Sequence, residues 1–149
     1  MSIFNSFSVN ASGMTAQRYR MDVIAENVAN IDTTRTQDGT PYRRKVVTFE
    51  EKGAKTPSFG SIFGTASDRY KKQGVKVSKV TEDTWTQMKM VYDPSHPDAD
   101  ENGYVTYPNV NVVTEMTNLI DASRSYEANA TAFNASKSMA MKGLEISQS

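Results

Sequence analysis

Two stretches at opposite ends of the chain carry the same rhythm, and that rhythm constrains the fold more than any other feature. Near the N-terminus Phe4, Phe7, Ala11, Met14, Arg18, Met21, Ala25 and Val28 recur at alternating steps of three and four, the spacing of a heptad seam. Toward the C-terminus Val112, Met116, Leu119, Ser123, Tyr126, Ala130, Phe133, Lys137, Ala140 and Leu144 repeat it. Arg18 and Lys137 are matching cationic breaks. Helices over residues 3–31 and 112–146 would run about 44 Å and about 52 Å at 1.5 Å per residue. Both exceed the roughly 11 to 12 residues of an average helix by far, so they are rods.

Each rod carries a second set of small or semi-apolar positions: Val9, Ala16, Val23 and Ile24 in the first, Val113, Ile120, Ala128, Ala135 and Met139 in the second. An antiparallel hairpin closing one globule uses a single stripe as core. A second stripe points to self-assembly as well. The first rod runs into ENVANIDTTRT, residues 26–36, whose Asn and Thr side chains compete with a helix by bonding nearby backbone. Asn27, Asn30, Thr33 and Thr34 are therefore expected to end the helix and serve its last carbonyls and the turn that follows. From there the chain moves outward to Tyr42, Arg43, Arg44 and Lys45, a candidate charged contact surface.

The middle is a different material. Residues 46–49, 75–80, 84–92 and 104–107 are rich in β-branched and aromatic side chains and read as short strands. Between the first two lies a Gly- and Ser-rich loop, 52–74, too long to be idle in a compact domain. Residues 93–98 form a turn, and Asn102-Gly103 is a hairpin signal. The expected fold is α+β: long N- and C-terminal helices pairing as a coiled-coil-like hairpin, with a small central β domain and an extended loop. It divides into an N-terminal helix in 1–34, a β-rich insert in 35–108 and a C-terminal helix in 109–149.

Composition then removes function classes. With 149 residues the chain is one domain's worth, and at 38% apolar its core is expected to be thin. The absence of cysteine leaves no disulfide, thiolate zinc site or cysteine nucleophile. No apolar run exceeds three residues, so nothing spans a membrane as a helix. MSIFNSFSVN lacks the basic and apolar regions of a secretory signal. Net charge is zero but unevenly spread: residues 35–79 hold eleven Lys or Arg against four acids, a balance of +7, and residues 80–121 hold one Lys against eight acids, a balance of −7. Either two faces of one small domain neutralise each other, or neighbouring copies present complementary surfaces.

Nothing in the chain assembles a reaction centre. The single histidine, His96, lies between two prolines in an acidic turn, where solvation is its ordinary fate. Asp98-x-Asp100-x-Asn102-Gly103 matches the start of a calcium loop, but the twelfth position, which needs a bidentate Glu, is Asn109. The Tyr42–Lys45 cluster has no recognisable nucleic-acid-binding signature around it. The sequons at Asn10, Asn129 and Asn134 fall in helical stretches, and neither a phosphate-cradling Gly loop nor a nucleophile elbow occurs. No enzyme, cofactor, metal, nucleic acid or small-molecule substrate is expected.

Five ordered stretches carry a family resemblance: ASGMTAQRYRMDVIAENVANIDTTRT (11–36), PYRRKVV (41–47), GVKVSKVTED (74–83), YDPSHPDADENGYV (92–105) and the run 108–146 from PNVNVV to GLEI. They resemble the flagellar basal-body rod proteins, of the rod and hook axial family. The Asn- and Thr-containing stretch at 25–33 is common to that whole family. The combination of PYRRK, YDPSHPDA and EMTNLIDASRSYEAN is similar to a proximal rod subunit. The resemblance implies a non-enzymatic subunit of the drive shaft, polymerised helically with terminal helices as the inner tube and the β insert outside. It also implies export through the flagellar type III apparatus without a cleavable signal peptide, and a place in the basal body across the periplasm or cell-wall region. The partners it implies are further copies, the other rod subunits and the adaptor that joins the rod base to the export gate. The seam residues are then Phe4, Phe7, Met14, Met21, Val28, Met116, Leu119, Tyr126, Phe133 and Leu144. On residues alone, a self-contained protein-binding module remains the alternative.

Overall fold

The computed structural model describes residues 3–52 and 74–148, with side chains from Asn5 to Ile146 inside those bounds. The side chain of Phe4 and nearly all of the expected loop at 52–74 lie outside the described residues. Helix α1 spans Ile3–Ala29 and helix α2 spans Val112–Gln148, about 40 Å and about 55 Å long. Asn111 starts α2: its Oδ1 accepts the N–H groups of Val113 and Thr114 at 3.0 and 3.3 Å, meeting donors that have no partner inside the helix. At the other end of α1, Asn30 Nδ2 donates to the Glu26 carbonyl at 2.9 Å and Thr33 Oγ1 donates to Asn30 Oδ1 at 3.2 Å. The helix therefore stops short of Ile31, because its last carbonyls are met by a turn rather than by another helical residue.

The helices run antiparallel. Phe7 and Phe133 meet edge to face with ring centroids 4.9 Å apart, and Asn27 reaches Glu115 at the opposite end. The buried positions are Ser12, Gly13, Ala16, Val23, Ile24 and Asn27 on α1, and Glu115, Ala122 and Ser136 on α2. This face keeps a helical spacing but is rotated from the apolar rhythm of the sequence. Phe7, Met14, Met21, Val28 and Phe133 sit half-buried at its margins, while Met116, Leu119, Tyr126 and Leu144 are exposed. Close approach explains the offset. A Cβ on Gly13 would lie 2.7 Å from Asn129 Oδ1, so around Gly13 the helices pack through small side chains, with the Phe7–Phe133 pair toward one end and Val23 and Ile24 toward the other.

Among the described residues the insert holds two separate antiparallel ribbons. Strand β1, Lys45–Glu51, pairs with β2, Val75–Glu82, with a bulge between Thr48 and Phe49. Strand β3, Lys89–Tyr92, pairs with β4, Tyr104–Tyr107. The long strand expected at 84–92 shortens because Asp83 folds its first residues into a turn: Oδ1 accepts from the Trp85 and Thr86 N–H groups at 3.0 and 3.1 Å, and Oδ2 accepts from the Thr86 hydroxyl at 2.8 Å. Ser12 pins β2 to α1 by accepting the Val75 N–H at 3.1 Å. Gly74 precedes that contact at φ +123°, with Ser12 where a side chain would have to go. The buried apolar side chains among the described residues are few: Ala16, Val23, Ile24, Tyr42, Val105, Pro108 and Ala122. The fold is α+β, with polar contacts where a larger domain would have core.

Candidate functional site

The chain leaves the helices after Ala29 and returns at Val112, and both crossings are tied together by one cluster. At its centre is Asn27, 1% exposed. Its Nδ2 donates to the Lys45 carbonyl at 2.9 Å and to Glu115 Oε2 at 3.1 Å. Its Oδ1 accepts from the Lys45 N–H at 2.8 Å and from the Tyr42 hydroxyl at 3.0 Å. Two donors and two acceptors are all that a carboxamide has. Asn27 therefore does not cap its own helix; it stands in for a strand neighbour to the first residue of β1.

Glu115 is 0% exposed, in the first turn of α2. A buried carboxylate is tolerable only when paired and hydrogen-bonded. Arg44 supplies the pair: Nε and Nη2 both reach Glu115 Oε1, at 2.8 and 2.7 Å, and Nη1 lies 3.6 Å from Asp83 Oδ2. Asn109 closes the other side, accepting the Arg44 N–H at 2.9 Å and donating to the carbonyls of Asp83 and Thr86 at 2.8 and 3.2 Å. Burial, with Glu26, Glu115 and Glu82 nearby, pushes the Tyr42 phenol up to about 12. The hydroxyl and amide of Thr86, with Arg44 adding charge, hold the Asp83 carboxyl below its ordinary range.

Of the residues singled out in the sequence, Asn27, Tyr42, Arg44 and Lys45 converge here. Asn30 and Thr33 act locally at the helix end. Thr34 leaves the cluster and donates to Asp98 Oδ2 at 2.8 Å, beside an Arg35–Asp98 pair at 3.7 Å. Arg43 has no ion-pair partner among the described residues. Arg44–Asp83, Arg44–Glu115 and Arg35–Asp98 join the basic block to the acidic block within one chain, so part of the charge asymmetry is neutralised internally. Sequence reasoning passed over Glu115, Asn109 and Asp83. The available signal was Glu115 itself, a charge one position before Met116 at the helix start, which needs a buried cation once the helix is turned to its small-residue face.

Each side-chain oxygen of this cluster has a partner within the chain. What it does is fix the insert to the helices. A helical hairpin tens of ångströms long, tied to a small β unit by a saturated polar knot, belongs to the class of axial structural proteins. The comparisons agree. Residues 7–36 match the family model described as "Flagella basal body rod protein", and residues 101–146 match "Flagellar basal body rod FlgEFG protein C-terminal". The chain is 49% identical to the flagellar basal-body rod protein FlgC of Bacillus subtilis, over 98% of this chain and 99% of that one. It is 45% identical to FlgC of Borreliella burgdorferi, over 99% of both, and 42% identical to FlgC of Salmonella typhimurium, over 99% of this chain and 100% of the relative. The chain belongs to the FlgC family of flagellar basal-body rod proteins. It is a structural subunit of the rod and not an enzyme.

Proposed function

We propose that this rod subunit polymerises helically with further copies and other rod subunits, α1 and α2 forming the inner wall and the insert 35–108 lying outside, so that the assembly passes motor torque along the shaft. One observation carries the reading. At the start of α2 three residues turned from α1 are apolar and open to solvent: Val113 is 74% exposed, Met116 56% and Ile120 53%. An apolar face of this kind on a soluble chain marks an interaction surface, and here it lies along a helix whose partner-facing side is small and polar. Phe7, Met14, Met21 and Val28, half-buried at the hairpin's margin, extend the contact surface on α1. Family membership supports the further reading: passage through the flagellar type III apparatus without a cleavable signal peptide, contact with the adaptor at the rod's base, and a location across the periplasm or cell-wall region.

Replacing Met116 and Ile120 together by Glu tests it. The expected result is a folded chain with unchanged melting, no tubes by electron microscopy in mixtures with other rod components, and no rescue of motility. Motile cells carrying the double variant would overturn the proposal, and so would a wild-type chain that stays monodisperse in every such mixture.

A further inference from the structure

We propose that Asn102 is a modification site that the fold holds shut: its carboxamide closes onto the Gly103 nitrogen, and so loses ammonia, only while the tip of the β3–β4 ribbon is open. The inference does not rest on the assembly reading. Asn102 and Gly103 are the chain's one Asn-Gly pair. The turn demands the glycine: it sits at φ +79°, and a Cβ there would lie 3.0 Å from Tyr92 Cε2 and 3.2 Å from Pro94 Cβ. That same glycine leaves its nitrogen unshielded by any side chain, and asparagine is a chemically labile neighbour for it. The Asn102 side chain is exposed, and no residue among those described bonds its carboxamide.

In deamidation the main-chain nitrogen of Gly103 attacks the Asn102 Cγ; a C–N bond forms, and the nitrogen's proton leaves with the amide group as ammonia. Water then opens the cyclic imide at either carbonyl, giving aspartate or isoaspartate. Ring closure requires the Asn102–Gly103 peptide to turn onto the side chain, and Asp100 prevents it. Its carbonyl accepts the Gly103 N–H at 3.0 Å, and its Oδ1 accepts the Asn102 and Tyr104 N–H groups at 2.9 and 2.8 Å. One residue thus holds three successive N–H groups, on the peptide concerned and on both sides of it. The N–H of Asp100 donates in turn to the Tyr104 carbonyl at 2.9 Å, which ties the lock to β4. The Asp100 charge also opposes loss of the proton from the Gly103 nitrogen. Conversion therefore tracks the population of open tips. It is one-way, because isoaspartate threads an extra methylene into the main chain and either product sets a new charge beside Asp100 and Glu101.

Full-length chain would be held at mildly alkaline pH, folded in buffer or unfolded in urea, and the peptide carrying residues 102–103 followed by mass spectrometry. The expected result is conversion about tenfold slower or more in the folded chain, since several tip bonds must break first. Asp100→Ala should remove most of that protection, and Asp100→Asn, which keeps an acceptor at Oδ1, should retain it. Hydrogen exchange of the β3–β4 amides shows whether the ribbon survives in each variant; the comparison within the parent chain needs none. An Asp100→Ala chain with an intact ribbon that converts no faster than the parent would overturn the assignment of the lock to Asp100. A folded parent chain that converts as fast as the unfolded one would overturn the proposal, and so would an unfolded chain that leaves Asn102 intact.

Discussion

Asn27 is the residue on which most of the junction depends, because its carboxamide completes Lys45, Tyr42 and Glu115 at once. Replacing it by Ala leaves a buried carboxylate short of a donor and a strand residue short of both backbone partners, each unmet group costing about 1–3 kcal/mol. Asn27→Ala should therefore lower stability by about 3 kcal/mol or more in urea titration, whereas Arg43→Ala should stay within about 0.5 kcal/mol. Tyr42 adds a pH dependence whose sign is fixed. Its folded-state pKa, about 12, lies above the ordinary 10.0, so its contribution is fully present below pH 10 and is lost as pH rises from 10 toward 12. Tyr42→Phe should flatten that part of the stability profile relative to the parent chain.

At the level of elements, the close approach of α1 and α2 makes its own prediction. Gly13→Leu must displace the Asn129 carboxamide, which is held by the Ser125 carbonyl at 2.8 Å. Overpacking of this kind costs about 1–3 kcal/mol. Thermal melting should show that loss, and pairing Gly13→Leu with Asn129→Ala should recover part of it. Among the described residues both helices and all four strands were legible in the sequence, since helical periodicity and clusters of β-branched residues are local properties. The face that the hairpin buries was not. Periodicity records where apolar residues fall, but Ser12, Ala16, Ala122 and Ser136 are chosen for backbone proximity, which no single segment displays. In the junction, Asn27, Tyr42 and Arg44 could be picked out as residues out of place in a helix or in a basic cluster. Their partners Glu115 and Asn109 are 88 and 65 residues away from Asn27 and Arg44, and no local pattern links them.

Across the whole molecule, contact strength is uneven from one end to the other. The junction end is tied by the Asn27, Arg44 and Glu115 bonds, whereas toward Ser136 the described apolar contact between the helices is chiefly the Phe7–Phe133 pair, small against a backbone entropy of about 1–2 kcal/mol per ordered residue. Amide hydrogen exchange should find α1 and α2 protected near Asn27 and Glu115, weakly protected toward Ile3 and Gln148 in the dilute chain, and protected throughout after assembly. Uniform strong protection in a verified monomer would show that the helices need no neighbours. The junction also governs what can vary. Because Asn27 holds the first strand residue and the start of α2 within hydrogen-bond reach of each other, both strand ribbons are anchored at the base of the hairpin, with Ser12 as a second tie between α1 and β2. Residues added to or removed from the Asn102-Gly103 turn of the β3–β4 ribbon would alter how far that ribbon projects while leaving the spacing of the helices untouched.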